Sequence, residues 1–252
     1  QAVEQCSSIL EKKTQHQIVT PNPEMLLVAQ HDPHFKETLN QAWLSIPDGI
    51  GILWAAQVMS KHHTTRLGKI LYGVLTLPLL LIMPRFFKGI LPERVSGVDL
   101  MLELCAVSAE KKYRIFLLGA QEGVAEKVKT TLEKKYPHIS IVGTHSGSPR
   151  IKDEEDIKDL IEKSRPDILF VAFGAPHQEL WIARNLKDLP TVKIAMGVGG
   201  AFDFIAHIRK RAPKWMQKLG IEWLYRLIQE PRRIKRIFNA IIRFPFKVLT
   251  TH

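Results

Sequence analysis

An α/β fold, a mostly parallel sheet flanked by helices and followed by a basic helical appendage, is predicted by three observations. Short apolar runs alternate with helical patterns along the middle of the chain, as in a parallel sheet with crossover helices. Nearly every run ends in a polar or glycine-rich turn. Charge is unevenly spread: residues 205–252 hold 12 Lys and Arg against two acids, Glu222 and Glu230, a net +10 of the whole chain's +11.

The opening QAVEQCSSILEKK reads as a helix, which leads us to expect a strand before it, and residues 1–18 carry no apolar stretch of the leader-peptide kind. Strands are expected at Gln17–Val19 running into Thr20-Pro21-Asn22, at Arg114–Leu118 before Gly119, at Ile168–Phe173 before Gly174 and at Lys193–Met196 before Gly197, with Ile139–Val142 as a fifth. Helices are expected at Pro23–Gln30, Gly51–Lys61, Val98–Lys111, Glu122–Tyr136, Glu154–Ser164 and Gln178–Asn185, where apolar residues recur every three or four positions. This arrangement is Rossmann-like. Ile70–Pro84 has 15 residues without a charge. A spanning helix needs about 20 apolar residues, and Gly73 and Pro78 interrupt this one, so it reads as interfacial or re-entrant, with a buried core helix as the alternative.

With 252 residues, 45% hydrophobic and 24% charged, the chain can build one large core or a core plus an appendage. Two cysteines, Cys6 and Cys105, cannot make a disulfide framework, and Cys105 falls in an apolar helical pattern that suits core packing. In the tail, cations alternate with Trp215, Trp223, Tyr225, Phe238, Phe244 and Phe246. Basic segments this apolar read as binders of an anionic membrane surface; nucleic acid is the disfavoured partner. Pro231 suits the first turn of a final helix over 232–243, ended near Pro245. Ile234, Ile237, Phe238, Ile241 and Ile242 would form one apolar stripe on it, flanked by Arg232, Arg233, Arg236 and Arg243. Packing of that stripe on the sheet is the alternative to membrane docking. A homo-oligomer also stays open, since exposed apolar surface serves a subunit contact as well as a bilayer.

Ligands of open parallel sheets bind at the carboxyl ends of the strands. There Gly119, Gly174 and the run Gly197-Val198-Gly199-Gly200 would let backbone amides approach a diphosphate, which favours a nucleotide-type ligand. None of these turns is a dinucleotide fingerprint or a Walker loop. Asp48, in Ser45-Ile46-Pro47-Asp48-Gly49-Ile50-Gly51, is the best catalytic candidate: a carboxylate on a tight turn among apolar neighbours can be desolvated into a base. The structural alternative is an Asx turn or an N-cap for the helix that follows. Thr20-Pro21-Asn22-Pro23-Glu24 is a second polar constellation, equally legible as a helix cap or as cleft lining with Asp48. No histidine, cysteine or acid pattern has metal-ligand spacing, no acyl-transfer motif is present, and no cofactor is expected. A diphosphate leaving group then needs arginine, and Arg66, Arg94 and the tail arginines are the pool.

Taken in order, Thr20-Pro-Asn22-Pro-Glu24, Pro47-Asp48-Gly49-Ile-Gly51, Arg94-Val-Ser-Gly97-Val-Asp99, Phe116-Leu-Leu-Gly119, Phe173-Gly174-Ala-Pro176-His-Gln178-Glu179, Gly197-Val-Gly199-Gly200-Ala-Phe202-Asp203, Arg211-Ala-Pro213-Lys-Trp215 and Glu222-Trp223-Leu-Tyr225-Arg226 to Glu230-Pro231 resemble the WecG/TagA/CpsF family of bacterial glycosyltransferases, from about Thr20 to Arg236. The resemblance implies inverting, metal-independent transfer of an N-acetylhexosamine, N-acetylmannosamine in the TagA branch, from a UDP-sugar donor to a polyprenyl-diphosphate-linked GlcNAc acceptor at the cytoplasmic face of the membrane. It implies Asp48 as base with Thr20 beside it, Arg66, Arg226, Arg233 and Arg236 as activity-linked cations, and Asp203 on the uracil side. Asn22, Gly49, Gly119, Gly174, Pro176, Gln178, Glu179 and Gly199 fall on substrate-binding positions. The implied division is a catalytic domain over 1–204, with an apolar insertion at 69–92, and a membrane-targeting appendage over 205–252 that completes the active site. A non-catalytic nucleotide-sugar sensor or scaffold is the rival function. This sequence departs from the family in the length and apolarity of 69–92, and in His207, where a small residue, often Gly, is usual.

Overall fold

The computed structural model describes residues 2–12, 14–61, 65–79, 96–219 and 221–251. By packing, the chain divides into two units, each assembled from separated stretches. One comprises Gln1–Thr20, Asp32–Ile46 and Ser96–Lys210; the other comprises Pro21–His31, Pro47–Val95 and Arg211–His252. The final stretch is therefore not a unit by itself. It shares its packing with two segments from the first hundred residues, because their apolar side chains complete one core.

The first unit holds a six-stranded sheet of β1 (His16–Val19), β2 (Leu44–Ser45), β3 (Arg114–Gly119), β4 (Ser140–His145), β5 (Ile168–Ala172) and β6 (Ile194–Gly197), in the spatial order β2-β1-β6-β5-β3-β4. Every pairing is parallel. Five strands fall where the apolar runs predict them. The two-residue β2 has no period to read, and it exists because Ile18 and Val19 pair with Leu44 and Ser45. The inner strands are apolar on both faces, as a sheet covered by helices requires: all five residues of β5 are buried. Phe116, Leu169 and Val171 from the sheet meet Ile157, Ile161, Trp181 and Ile182 from the helices Glu154–Ser164 and His177–Asn185 in one cluster. Cys6 and Cys105 are buried thiols, with burial pushing their pKa values up to about 11 and about 12.

Because the strands run parallel, their carboxyl ends share an edge. Thr20, Gly197, the segment after Ala172 and Gly119 reach it from the adjacent strands β1, β6, β5 and β3.

The second unit is helical. Leu53, Trp54 and Val58 of the helix Ile50–Ser60 pack with Leu27 of Pro23–Ala29 and with Phe244, Val248 and Leu249 near the chain end. Trp54 Nε1 donates to Thr76 Oγ1 at 3.1 Å, joining Ile50–Ser60 to the helix Arg66–Thr76. Gly73 is required there: a Cβ on it would collide with Leu249. Of the uncharged stretch 70–84, residues 70–76 belong to that helix and 80–84 lie outside the described residues, as does most of 69–92. Among the described residues no helix is long and apolar enough to cross a membrane.

The final helix differs from its expectation. It does not stop near Pro245 but runs unbroken from Pro231 to Thr250, as a 3₁₀ turn (Pro231–Arg233), an α segment (Ile234–Phe238), a π segment (Asn239–Arg243) and a second α segment (Phe244–Thr250). Proline disrupts an α-helix by its missing N–H and by its clash with the carbonyl four residues back. The π segment widens the spiral just before Pro245, which takes the first turn of the segment that follows. The single stripe expected on this helix also divides. Ile234, Phe238 and Ile242 are exposed, at 63%, 56% and 53%, whereas Ile237 and Ile241 line a cavity.

Candidate functional site

The residues singled out by the sequence collect in two places, one in each unit. In the helical unit, a cavity of about 560 Å³ is lined by Asn22, Glu24, Asp48 and Gly49, by Arg226, Arg233 and Arg236, and by apolar groups that include Ile50, Leu77, Trp223, Ile241 and Pro245. Its rim is fixed by backbone geometry. Asn22 caps the helix Pro23–Ala29, its Oδ1 accepting from the Met25 N–H at 3.0 Å, with Pro23 in the first turn. The Asp48 N–H donates to the Pro21 carbonyl at 2.8 Å, tying one polar turn to the other. Asp48 does not cap the next helix; Gly49 takes that place with φ of +109°, which only glycine adopts easily, and without a side-chain cap. The structural alternative of an N-cap is thereby removed.

Each cavity arginine is held by a carboxylate. Arg226 faces Glu222 at 3.6 Å, Arg233 faces Glu230 at 3.2 Å, and Arg236 reaches Glu24 at 2.7 Å through both Nε and a terminal nitrogen. Glu222 is buried and also faces Arg211 at 3.8 Å. Lining acids Glu24, Asp48 and Glu222 equal lining arginines in number, so the hollow is charge-balanced where the tail's composition alone suggested an excess of cations. Arginines oriented in this way present preorganised forks, and a diphosphate entering the cavity would compete with the carboxylates for them. Arg66 is not among the lining residues; it opens the helix Arg66–Thr76, exposed, behind the Thr65 cap. Arg94 lies outside the described residues.

In the sheet unit, the carboxyl edge carries the remaining candidates. Thr20 follows β1, and its Oγ1 would lie 3.4 Å from a Cβ on Gly97, so the helix Gly97–Lys111 begins against it. Ser96 caps that helix by accepting from the Asp99 N–H at 3.2 Å while donating to Asp99 Oδ2 at 2.6 Å. Gly119 serves packing: a Cβ there would stand 2.7 Å from the Ala172 carbonyl carbon. Gly174, at φ of +78°, borders open space, and so does Gly200. Pro176 precedes the helix His177–Asn185 after a cis peptide. Asp203, in Ala201–Ile205, pairs with Arg209 at 3.2 Å.

Gln178 and Glu179 are less accessible than their substrate-binding motif implies, at 4% and 0% exposed. Gln178 Oε1 accepts from the N–H groups of Gly174 and Gly199, each at 3.0 Å. Gly199 thus spends its amide on the protein. Sequence reasoning missed this burial, as an acid beside an amide in a polar motif reads as surface or ligand contact. His207 takes φ of +55°, the left-handed conformation that explains why a small residue fits that position.

Comparison with known proteins agrees with the motifs. The family model described as the WecG/TagA/CpsF family of glycosyl transferases matches residues 1–71 and 77–252. An N-acetylglucosaminyldiphosphoundecaprenol N-acetyl-beta-D-mannosaminyltransferase of Bacillus subtilis (strain 168) is 33% identical over 230 residues, covering 91% of this chain and 78% of that protein. A protein of the same name from Staphylococcus aureus (strain MRSA252) is 33% identical over 231 residues, 92% of this chain and 78% of its own length. A third, from Bacillus spizizenii (strain W23), is 31% identical over 222 residues, 88% of this chain and 74% of its own.

Proposed function

Since the chain belongs to the WecG/TagA/CpsF glycosyl transferase family, we propose that this glycosyltransferase moves N-acetylmannosamine from a UDP-sugar to GlcNAc carried on a polyprenyl diphosphate, a step in teichoic acid linkage or related surface-polysaccharide synthesis. The observation that carries the reading is the cavity that combines Asp48 with three arginines and an apolar wall. The arginines suit a diphosphate, and the apolar wall suits the hydrocarbon tail of the acceptor. In the proposed step Asp48 takes the proton of the acceptor hydroxyl as its oxygen bonds to the anomeric carbon, and the bond from that carbon to UDP breaks on the opposite face, inverting it. Arg226, Arg233 and Arg236 neutralise charge that grows on the leaving diphosphate, a task for preorganised cations. Thr20, the glycine turns and Asp203 are assigned to the donor.

We place the work at the inner membrane face, a reading supported by the proposed lipid-borne substrate and by the helical unit's surface. Ile234, Phe238, Ile242 and Phe246 recur at four-residue spacing and are exposed, among the exposed cations Arg232, Lys235, Arg243 and Lys247. Leu67, Leu71, Val74 and Leu75 line one face of Arg66–Thr76 in the same way. Full burial of one such side chain is worth about 1.5–3 kcal/mol, against about 1 kcal/mol per cation near an anionic surface. Per group, full insertion therefore outweighs attraction, and the two are comparable when burial is half complete. The decisive assay follows UDP release and product formation from UDP-N-acetylmannosamine with a soluble lipid-diphosphate GlcNAc acceptor. Turnover is expected; UDP binding without product, under conditions where a relative turns over, would leave a nucleotide-sugar sensor in place of an enzyme.

A further inference from the structure

Gln178 and Glu179 form a hydrogen-bonded pair that no step of the proposed transfer uses. Gln178 Nε2 donates to Glu179 Oε1 at 2.7 Å while Gln178 Oε1 accepts from the Gly174 and Gly199 amides. This pattern fixes which way the carboxamide faces, because the reverse orientation would set its NH₂ against two N–H donors. One side chain thus bridges the turn after β5 and the turn after β6. The pair is locked from the strand side as well: a Cβ on Gly197 would stand 2.6 Å from Gln178 Nε2 and 2.8 Å from Glu179 Oε1. From β1, Gln17 Nε2 donates to the Glu179 carbonyl at 3.0 Å. Glu179 Oε2 is buried with no hydrogen-bond partner.

We propose that Gln178 and Glu179 are positioning residues, an internal fastener that sets the spacing of the Gly174 and Gly197–Gly200 turns for the nucleotide of the donor. The idea rests on the reading that the donor binds at those turns. Glu179 performs this as a neutral acid. Burial holds its carboxyl above the ordinary carboxylate range, partly opposed by hydrogen bonds from Gln178 and from its own backbone N–H. The elements packed against its helix carry His16 on β1, His34, Lys36 and Glu37 on Pro33–Gln41, and Lys187 and Asp188 in the turn that follows; β5 and β6 carry no charge. An ionised carboxylate with its Oε2 unpaired in so dry a place would be strongly disfavoured. A protonated one leaves a neutral O–H unpaired at Oε2, a smaller cost than an unpaired charge, and keeps a carbonyl oxygen to orient Gln178.

Two variants separate this from a merely structural role. Glu179→Gln keeps a carbonyl oxygen in place, whereas Glu179→Ala removes it. UDP affinity by calorimetry and KM for the UDP-sugar are expected to weaken about tenfold in Glu179→Ala, with a smaller change in kcat, and to return to within about twofold of wild type in Glu179→Gln. A folded Glu179→Ala with unchanged UDP affinity, or a Glu179→Gln as impaired as the alanine variant, overturns the fastener. Thermal unfolding supplies a second arm that needs no ligand. A carboxyl that holds its proton more tightly folded than unfolded loses stability as pH rises from its ordinary value of 4.5 toward the raised folded value. Glu179→Gln abolishes that loss, so its melting temperature should gain on wild type by a margin that widens as pH rises above about 4.5. A constant margin, or wild type gaining on the variant as pH rises, overturns the neutral acid. Wild type that fails to bind UDP overturns the donor reading instead, and the pH arm then decides the pair alone.

Discussion

The two units of this chain use the same kinds of side chain in opposite ways. In the sheet unit most large apolar groups point inward, and Phe116, Phe170, Trp181 and Phe202 are fully buried. Its charges are spent on surface pairs such as Lys158 with Asp188, or on the half-buried pair of Arg184 with Glu154. In the helical unit Leu67, Leu71, Ile228, Ile234, Phe238 and Phe246 stand exposed, while arginines and carboxylates turn toward a cavity. Ordinary folding thermodynamics accounts for the first pattern; the second needs a partner to make sense. The proposed function accordingly gives stability to one unit and encounter with the lipid-borne substrate to the other.

The assignment breaks most visibly at Asp48. Asp48→Asn is expected to lower kcat by about a thousandfold, the middle of the range for loss of a general base, with UDP affinity retained. Near-normal turnover would make this carboxylate part of the scaffold. Next comes Arg236. Its pair with Glu24 is more than half exposed on the arginine side, so the pair adds at most about 1 kcal/mol to stability before screening by solvent and salt. Arg236→Ala should therefore lose about a hundredfold in turnover while its melting temperature hardly moves. A variant that unfolds but, where folded, reacts normally would show that the arginine braces the fold.

Much of this contrast was readable before any coordinates. Apolar runs, most of them closed by polar or glycine-rich turns, placed β1, β3, β4, β5 and β6, and the Asn22-Pro23 pair marked a helix start that the side chain does cap. What escaped reading depends on partners distant in sequence. Arg236 and Glu24 are 212 positions apart, so no local pattern could show that the cavity's cations come already paired. Pro245 looked like a stop, since the π segment that admits it leaves no trace in periodicity. Glu179 looked like a ligand contact, because only tertiary packing reveals its complete burial. Local propensity thus recovered the sheet unit well, and recovered the helical unit's composition better than its geometry.

A smaller effect sharpens the membrane half of the comparison. Replacing Phe238 and Leu71 by serine removes apolar surface from two exposed rows without touching the lining of the cavity. Partition onto vesicles containing anionic lipid should fall between tenfold and a hundredfold, from about 1–3 kcal/mol lost in total if burial is partial. Turnover of a water-soluble acceptor should stay near wild type. Unchanged partition would move the membrane contact elsewhere or hand the rows to a subunit interface, which sedimentation would reveal.

The smallest effect falls in the sheet unit, where only stability should respond. His207 holds φ of +55° two residues past the end of the helix Ala201–Ile205, and its amide donates to the Phe204 carbonyl at 3.2 Å. A left-handed backbone costs an L-residue about 1–2 kcal/mol, histidine being among the better tolerated. Glycine removes that strain but adds freedom to the unfolded chain, an opposing cost of about 0.5–1 kcal/mol. His207→Gly should then stabilise the protein by about 0.5–1 kcal/mol, measurable as a shift in the denaturant midpoint at constant slope. Destabilisation of that size would mean the imidazole supports the neighbouring turn through its side chain, and that histidine is there for a reason other than tolerance.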